Sequence, residues 1–181
     1  ENNKYGYFPS FAFAWRLSEE SFIQDLNLFS DLKLRASWGM TGNQDIGNYQ
    51  SLSTLAGGGQ AVFNGILYQG IAPTRIPNED LQWESTRQLN FGIDASILKG
   101  RLSVTVDYFD KETDNLLLNL PIPGTSGFTS ILENVGSVKN SGVEIMINSW
   151  NVSTANFKWN SRLNFTTLKN EVLDLGSVDE I

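Results

Sequence analysis

Residues 88–109 read QLNFGIDASILKGRLSVTVDYF. Leu89, Phe91, Ile93, Ala95 and Ile97 alternate with Gln88, Asn90, Gly92, Asp94 and Ser96. After Lys99-Gly100 the alternation resumes, with Leu102, Val104, Val106 and Tyr108 set against Arg101, Ser103, Thr105 and Asp107. Strand side chains repeat with period two, so a two-residue turn predicts the pairs Ile97 with Leu102, Ala95 with Val104, Ile93 with Val106 and Phe91 with Tyr108. One face of this hairpin is wholly apolar. The other carries Asp94, Asp107 and Arg101 among small polar residues, the pattern of a strand with lipid on one side and water on the other.

A half-buried strand of a soluble β-sandwich shows the same alternation, so recurrence decides. Phe11, Phe13, Trp15 and Leu17 alternate with Ser10, Ala12, Ala14 and Arg16, and Leu32, Leu34, Ala36 and Trp38 with Asp31, Lys33, Arg35 and Ser37. Val143, Ile145 and Ile147 alternate with Glu144, Met146 and Asn148. Phe157, Trp159, Leu163 and Phe165 do so with Lys158, Asn160, Arg162 and Asn164. The count is about six strands of roughly the 9–11 residues that cross a bilayer as tilted β. Several carry Trp or Phe near an end, where aromatic girdles sit. The expected fold is all-β: an antiparallel up-and-down meander forming a sector of a transmembrane barrel, with long outer loops and one short helix. Short connections at Lys99-Gly100 and Ser153-Thr154-Ala155 alternate with long ones at 41–80 and 115–140, as periplasmic turns alternate with outer loops. Residues 18–31 hold Ser18-Glu19-Glu20 followed by Phe22, Ile23 and Leu26, which predicts a capped helix on the rim.

Composition narrows the function. The 181 residues are 40% hydrophobic, with 13 basic and 20 acidic residues and a net charge of -7, which argues against nucleic acid as a partner. The absence of Cys removes thiolate chemistry and disulfides. The absence of His removes Ser-His-Asp triads and the commonest transition-metal ligand, so neither an enzyme nor a cofactor is expected. The chain opens Glu1-Asn2-Asn3-Lys4 without a targeting signal, and six strands are too few to close a membrane barrel. It therefore reads as an excerpt of a larger one.

Several ordered blocks resemble one family. They are Phe8-Pro9-Ser10-Phe11, Trp15-Arg16-Leu17-Ser18-Glu19-Glu20, the run from Asp31 to Gln44 containing Trp38-Gly39-Met40-Thr41-Gly42-Asn43, Ile46-Gly47-Asn48-Tyr49, and Pro77-Asn78-Glu79-Asp80-Leu81-Gln82-Trp83-Glu84. Tyr108-Phe109, Leu116-Leu117-Leu118, Thr125-Ser126-Gly127-Phe128, Asn134-Val135-Gly136 and Asn140-Ser141-Gly142-Val143-Glu144 continue the series. Together they resemble the barrel of SusC/RagA-type TonB-dependent outer-membrane transporters of Bacteroidota. That resemblance implies a 22-stranded barrel with an N-terminal plug, energised by a TonB complex through the plug. It also implies a SusD-like surface lipoprotein as lid, and a glycan or peptide as cargo. On this reading residues 1–181 are a barrel fragment in the bacterial outer membrane, in contact with its lipid, with the plug and the closing strands outside it. The alternative is a soluble β-sandwich module that binds carbohydrate or protein.

The remaining motifs admit milder readings. Ala56-Gly57-Gly58-Gly59-Gln60 lacks the Gly-Lys-Ser/Thr of a phosphate loop and reads as a mobile outer loop. Asp110, Glu112 and Asp114 alternate like possible calcium ligands, but their spacing is not that of an EF-hand, and a solvated rim without metal is expected. Asn151-Val152-Ser153 and Asn164-Phe165-Thr166 read as turn and strand residues. Asp94 and Asp107 fall diagonally on the water side together with Arg16, Arg35, Arg101 and Arg162, which predicts a mixed-charge lumen wall without catalysis. Substrate contact is expected in the outer loops. Tyr49, Phe63, Tyr68 and Phe128 offer flat faces there, and Asn43, Gln44, Asn64 and Gln69 offer paired donors and acceptors.

Overall fold

The computed structural model describes residues 5–44 and 46–176. Six long strands form one antiparallel sheet: β1 (Ser10–Arg16), β2 (Phe29–Asn43), β5 (Glu84–Ile97), β6 (Leu102–Asp114), β9 (Ser137–Ser153) and β10 (Lys158–Asp174), neighbours in that order. Between them lie two hairpins, β3 (Leu55–Phe63) with β4 (Ile66–Pro73) and β7 (Leu117–Pro121) with β8 (Ser130–Asn134). The sheet is open, as expected of a barrel sector.

The predicted register holds throughout the central hairpin: Ile97 pairs with Leu102, Ile93 with Val106 and Phe91 with Tyr108. The turn itself differs. Four residues, 98–101, leave the ladder rather than two, and Leu98, Lys99 and Gly100 all have positive φ. The strands are also longer than a bare crossing requires: β2 runs for 15 residues and β9 and β10 for 17 each. Their extra length projects into segments expected to be loop, including Thr41–Asn43 and Ser137–Asn140. Between β1 and β2 the predicted capped helix shrinks to a 3₁₀ turn, Leu17–Glu19, and a single α turn, Ser21–Gln24, neither with a side-chain cap. Ser18 Oγ bonds instead to Asp31 at 3.2 Å.

The register lines up one apolar row across all six strands: Trp15, Leu34, Ile93, Val106, Ile145 and Phe165. Phe13, Phe91, Leu163 and Phe165 on this face are each at least half exposed, so neither hairpin nor any second sheet packs over it. The uppermost large apolar residues of the face are Met40, Leu89, Tyr108, Val143 and Phe165, and the edge they draw descends from β2 to β10. The lower edge descends likewise, from Trp15 on β1 to Trp159 on β10. The slope is about one to one and a half residues per strand. With about 3.4 Å per residue and about 4.8 Å between strands, this corresponds to a strand tilt of roughly 35–45°, the range of transmembrane barrels. From Leu89 to Ile97 the apolar face is about 27 Å long, or roughly 20 Å in height at that tilt.

Above the apolar edge the same face turns charged. Arg87 meets Glu112 at 3.0 Å and Asp114 at 3.2 Å, and Lys139 meets Asp110 at 2.9 Å. The three acids considered as calcium ligands thus form an outward rim paired with cations, and no metal-competent cluster occurs among the described residues.

Candidate functional site

The opposite face of the wall carries a charge network built by register. Lys33 stands across from Asp94 at 3.3 Å, Arg35 reaches Asp94 diagonally at 2.8 Å, and the same guanidinium reaches Asp107 at 2.8 Å. Arg35 lies on β2 and Asp107 on β6, so that last pair crosses the whole width of β5. The residue between them is Gly92, paired with both Arg35 and Asp107. A Cβ at that position would lie 2.6 Å from Arg35 Cζ, so the bridge runs through space that glycine leaves free, and a side chain there would push the guanidinium aside. Both carboxylates are tied to a cation, which makes the pair a structural staple of the wall rather than an acid and base across a substrate. Arg16 joins the same face through Asp31 at 3.0 Å and Arg162 through Asn148 at 2.7 Å. Arg101 is held differently: it sits in the turn before β6 and donates to the carbonyls of Trp150 and Asn151 rather than to a side chain of this network.

The outer loops, residues 44–83 and 115–136, hold the buried apolar side chains found among the described residues, Leu81 and Leu120, and the buried Ser51. Asparagines lock one loop to the other. Asn134 Nδ2 donates to the Gln82 carbonyl at 2.7 Å and to the Asn115 carbonyl at 3.0 Å, while its Oδ1 accepts from Gln82 N at 2.9 Å. Asn78 donates to the Leu132 carbonyl at 3.0 Å. Glu84, at the top of β5, accepts from Asn43 at the top of β2 at 2.9 Å and from Leu117 N at 3.1 Å, joining the second loop to the wall.

Of the predicted contact residues, Phe63, Asn64 and Tyr68 come together at the tip of the β3–β4 hairpin, where Phe63 and Tyr68 meet edge to face at 6.0 Å, while Gln69 takes the opposite face of the hairpin with its amide over Gly57. The glycine-rich run expected to be mobile is part of that hairpin, with a register irregularity between Gly57 and Gln60. Tyr49 lies apart, exposed in a turn with φ of 61°. Phe128 lies apart as well, lining a cavity of about 330 Å³ between the loops together with Gln50, Arg75, Asn119 and Ser130. Arg75 escaped the reading of the sequence. Its signal was isolation: it is the only charged residue between Asp45 and Glu79.

The family described as "TonB dependent receptor-like, beta-barrel" matches residues 1–178. The chain belongs to that TonB-dependent receptor family. It is 44% identical over its whole length to TonB-dependent receptor P26 of Formosa agariphila and 36% identical over 99% of its length to SusC of Bacteroides thetaiotaomicron. The RagAB peptide importer in its closed-closed state superposes with a TM-score of 0.85 over 96% of this chain at 33% identity. The SusC/RagA resemblance is thereby established. The chain spans 18% of the length of either receptor and 19% of the importer chain. Several of the family-like blocks fall where this TonB-dependent receptor barrel needs a close approach. Phe8 stacks on Trp83 at 5.5 Å and lies over Gly42, where a Cβ would come within 2.7 Å of its ring, and Phe109 lies likewise over Gly142, at 2.8 Å.

Proposed function

We propose that the parent protein actively imports an oligomeric nutrient, a glycan or a peptide, across the bacterial outer membrane, and that residues 1–181 supply a stretch of barrel wall and two outer loops. In this reading the plug and the closing strands lie outside the fragment, a TonB complex energises transport through the plug, and a SusD-like lipoprotein covers the mouth. The observation that carries it is the six-stranded face with an apolar band sloped at a transmembrane tilt, backed by a polar, ion-paired face. Membership of the receptor family and likeness to SusC and to the RagAB peptide importer support the same assignment. A soluble β-sandwich needs a second sheet over the apolar face, and the two hairpins belong to the loops instead.

Tyr49, Phe63, Asn64, Tyr68, Gln69 and Phe128 would meet substrate or lid from the outer loops. Deleting residues 56–69 tests this in the full-length protein. Expected are normal outer-membrane levels with weakened substrate capture or lipoprotein co-purification. Normal uptake and normal lid binding in the deletion would remove the hairpin from the function. Uptake that persists without the proton-motive force would overturn the importer.

A further inference from the structure

Arg75 follows β4 and is fixed at its backbone, where Ser53 Oγ donates to its carbonyl at 3.0 Å. Its Nη1 donates to Gln50 Oε1, and its Nη2 donates to Thr54 Oγ1 at 3.3 Å. Both acceptors are neutral. The Nε atom is buried and meets no acceptor, and none of the ion pairs among the described residues includes this guanidinium. Six other basic side chains, Arg16, Lys33, Arg35, Arg87, Lys139 and Lys169, each face a carboxylate, whereas Arg101 and Arg162, in the turn and on the wall, share with Arg75 the lack of one but line no such cavity. A half-buried cation with one idle donor and no ion pair has given up part of its hydration without gaining a charged partner, and an anion in the cavity it lines would supply one.

We propose that Arg75 anchors a carboxylate carried by the imported oligomer. The proposal rests on the import reading above and names the chemical class of the cargo. A carboxylate fits because its two coplanar oxygens match a pair of guanidinium N–H donors, and among the described residues no acidic side chain takes that place on Arg75, which lines the cavity. The cavity lined by Arg75 has room for more than the charged group: about 330 Å³ lies at the lower end of small-molecule sites. Phe128 supplies a flat apolar face on its wall, and Asn119 and Ser130 supply neutral donors and acceptors. An acidic side chain from a protein lid would bring the same group, but such a side chain would fill only a corner of a concavity sized for a whole sugar or amino-acid residue.

The test uses the full-length transporter with its lipoprotein and two matched pairs of fluorescent probes. One pair is hexagalacturonate and its methyl ester; the other is a pool of octapeptides lacking Asp and Glu, with free or amidated C-termini. Wild type is expected to favour the acidic member of one pair, and that pair identifies the source of the carboxylate. Arg75→Gln should weaken the acidic probe about ten- to hundredfold while shifting its neutral twin by less than about twofold. The neutral twin serves as the folding control, and Arg75→Lys should recover part of the loss. Absence of acid selectivity in wild type, or its survival in Arg75→Gln, overturns the proposal. Loss of the lipoprotein with oligomer affinity unchanged assigns the guanidinium to the lid and overturns it as well. Energised uptake of the neutral probes is scored separately, so the carboxylate anchor can fail while import stands.

Discussion

In the wall, a residue's fate follows from whether its position is odd or even along a strand; in the outer loops, it follows from which single neighbour its side chain reaches. Ile93 and Asp94 are adjacent in the chain, yet one joins a fully apolar row and the other accepts from Arg35 at 2.8 Å on the opposite face. No such alternation explains Asn134, whose amide closes three hydrogen bonds onto Gln82 and Asn115. The wall has no interior to fill, because lipid and water would take its two sides. The loops have a small interior of their own around Leu81 and Leu120. A membrane sheet can therefore be specified by a repeating pattern, whereas a loop crown must be specified contact by contact.

The comparison breaks first at Ile93. Replacing it with Arg puts a charge in the middle of the apolar band and should cost about 2–4 kcal/mol of folding into lipid, while Asp94→Asn should cost clearly less. Equilibrium folding of the full-length barrel into vesicles measures both. Equal costs would mean that the two faces are not lipid and water.

Gly92→Val is the next largest. The added side chain occupies the space where Arg35 crosses β5 to Asp107, and the loss of that partly exposed bridge together with the local clash should cost about 1–3 kcal/mol. The double variant Gly92→Val, Asp107→Asn should cost little more than Gly92→Val alone, because the bridge is already broken. Full additivity in a double-mutant cycle would show that the glycine serves something other than the staple.

Asn134→Ala should loosen the crown by about 1–3 kcal/mol without touching the wall. Limited proteolysis is the measurement: cleavage within residues 115–136 should accelerate while barrel assembly stays normal. Coupled failure of assembly would make the loops part of the folding unit of the wall.

These contrasts also explain what could be read from the sequence. Six strands, their order and the register of the central hairpin were legible because each face repeats every second residue, and a slip by one would put Asp94 and Asp107 into the apolar face. The extra length of β2, β9 and β10 was not, because above the apolar edge the alternation loses its contrast: the outward face turns polar, and on β10 Leu168 and Val172 fall on the face opposite Phe165. Hairpin β3–β4 was hidden by its glycines, and β7–β8 by Pro121 and Pro123 near its turn. Of the proposed contact residues, Phe63, Asn64 and Tyr68 meet at a hairpin tip, a grouping that only the pairing of β3 with β4 creates. Arg75 was passed over because a lone charge in a polar loop ordinarily lies in solvent, and only the fold shows this one half-buried on the wall of a cavity.

The smallest expected effect discriminates most sharply where the membrane ends. Arg87 occupies the outward face of β5 one step above Leu89, half exposed, with Glu112 and Asp114 as partners. If the sloped edge through Met40, Leu89 and Tyr108 marks the limit of the hydrocarbon, this rim stands among headgroups and water. Surface pairs there are worth about 0–1 kcal/mol, so Arg87→Leu should change folding into lipid by no more than that, toward destabilisation. If the rim instead lay at hydrocarbon depth, removing the charge would stabilise the barrel, by as much as about 2–4 kcal/mol near the midplane. The sign of a small number therefore places the edge. A stabilising Arg87→Leu would raise the hydrocarbon boundary past the rim, bring the base of both outer loops to the membrane surface, and require a smaller strand tilt than the pattern of apolar residues implies.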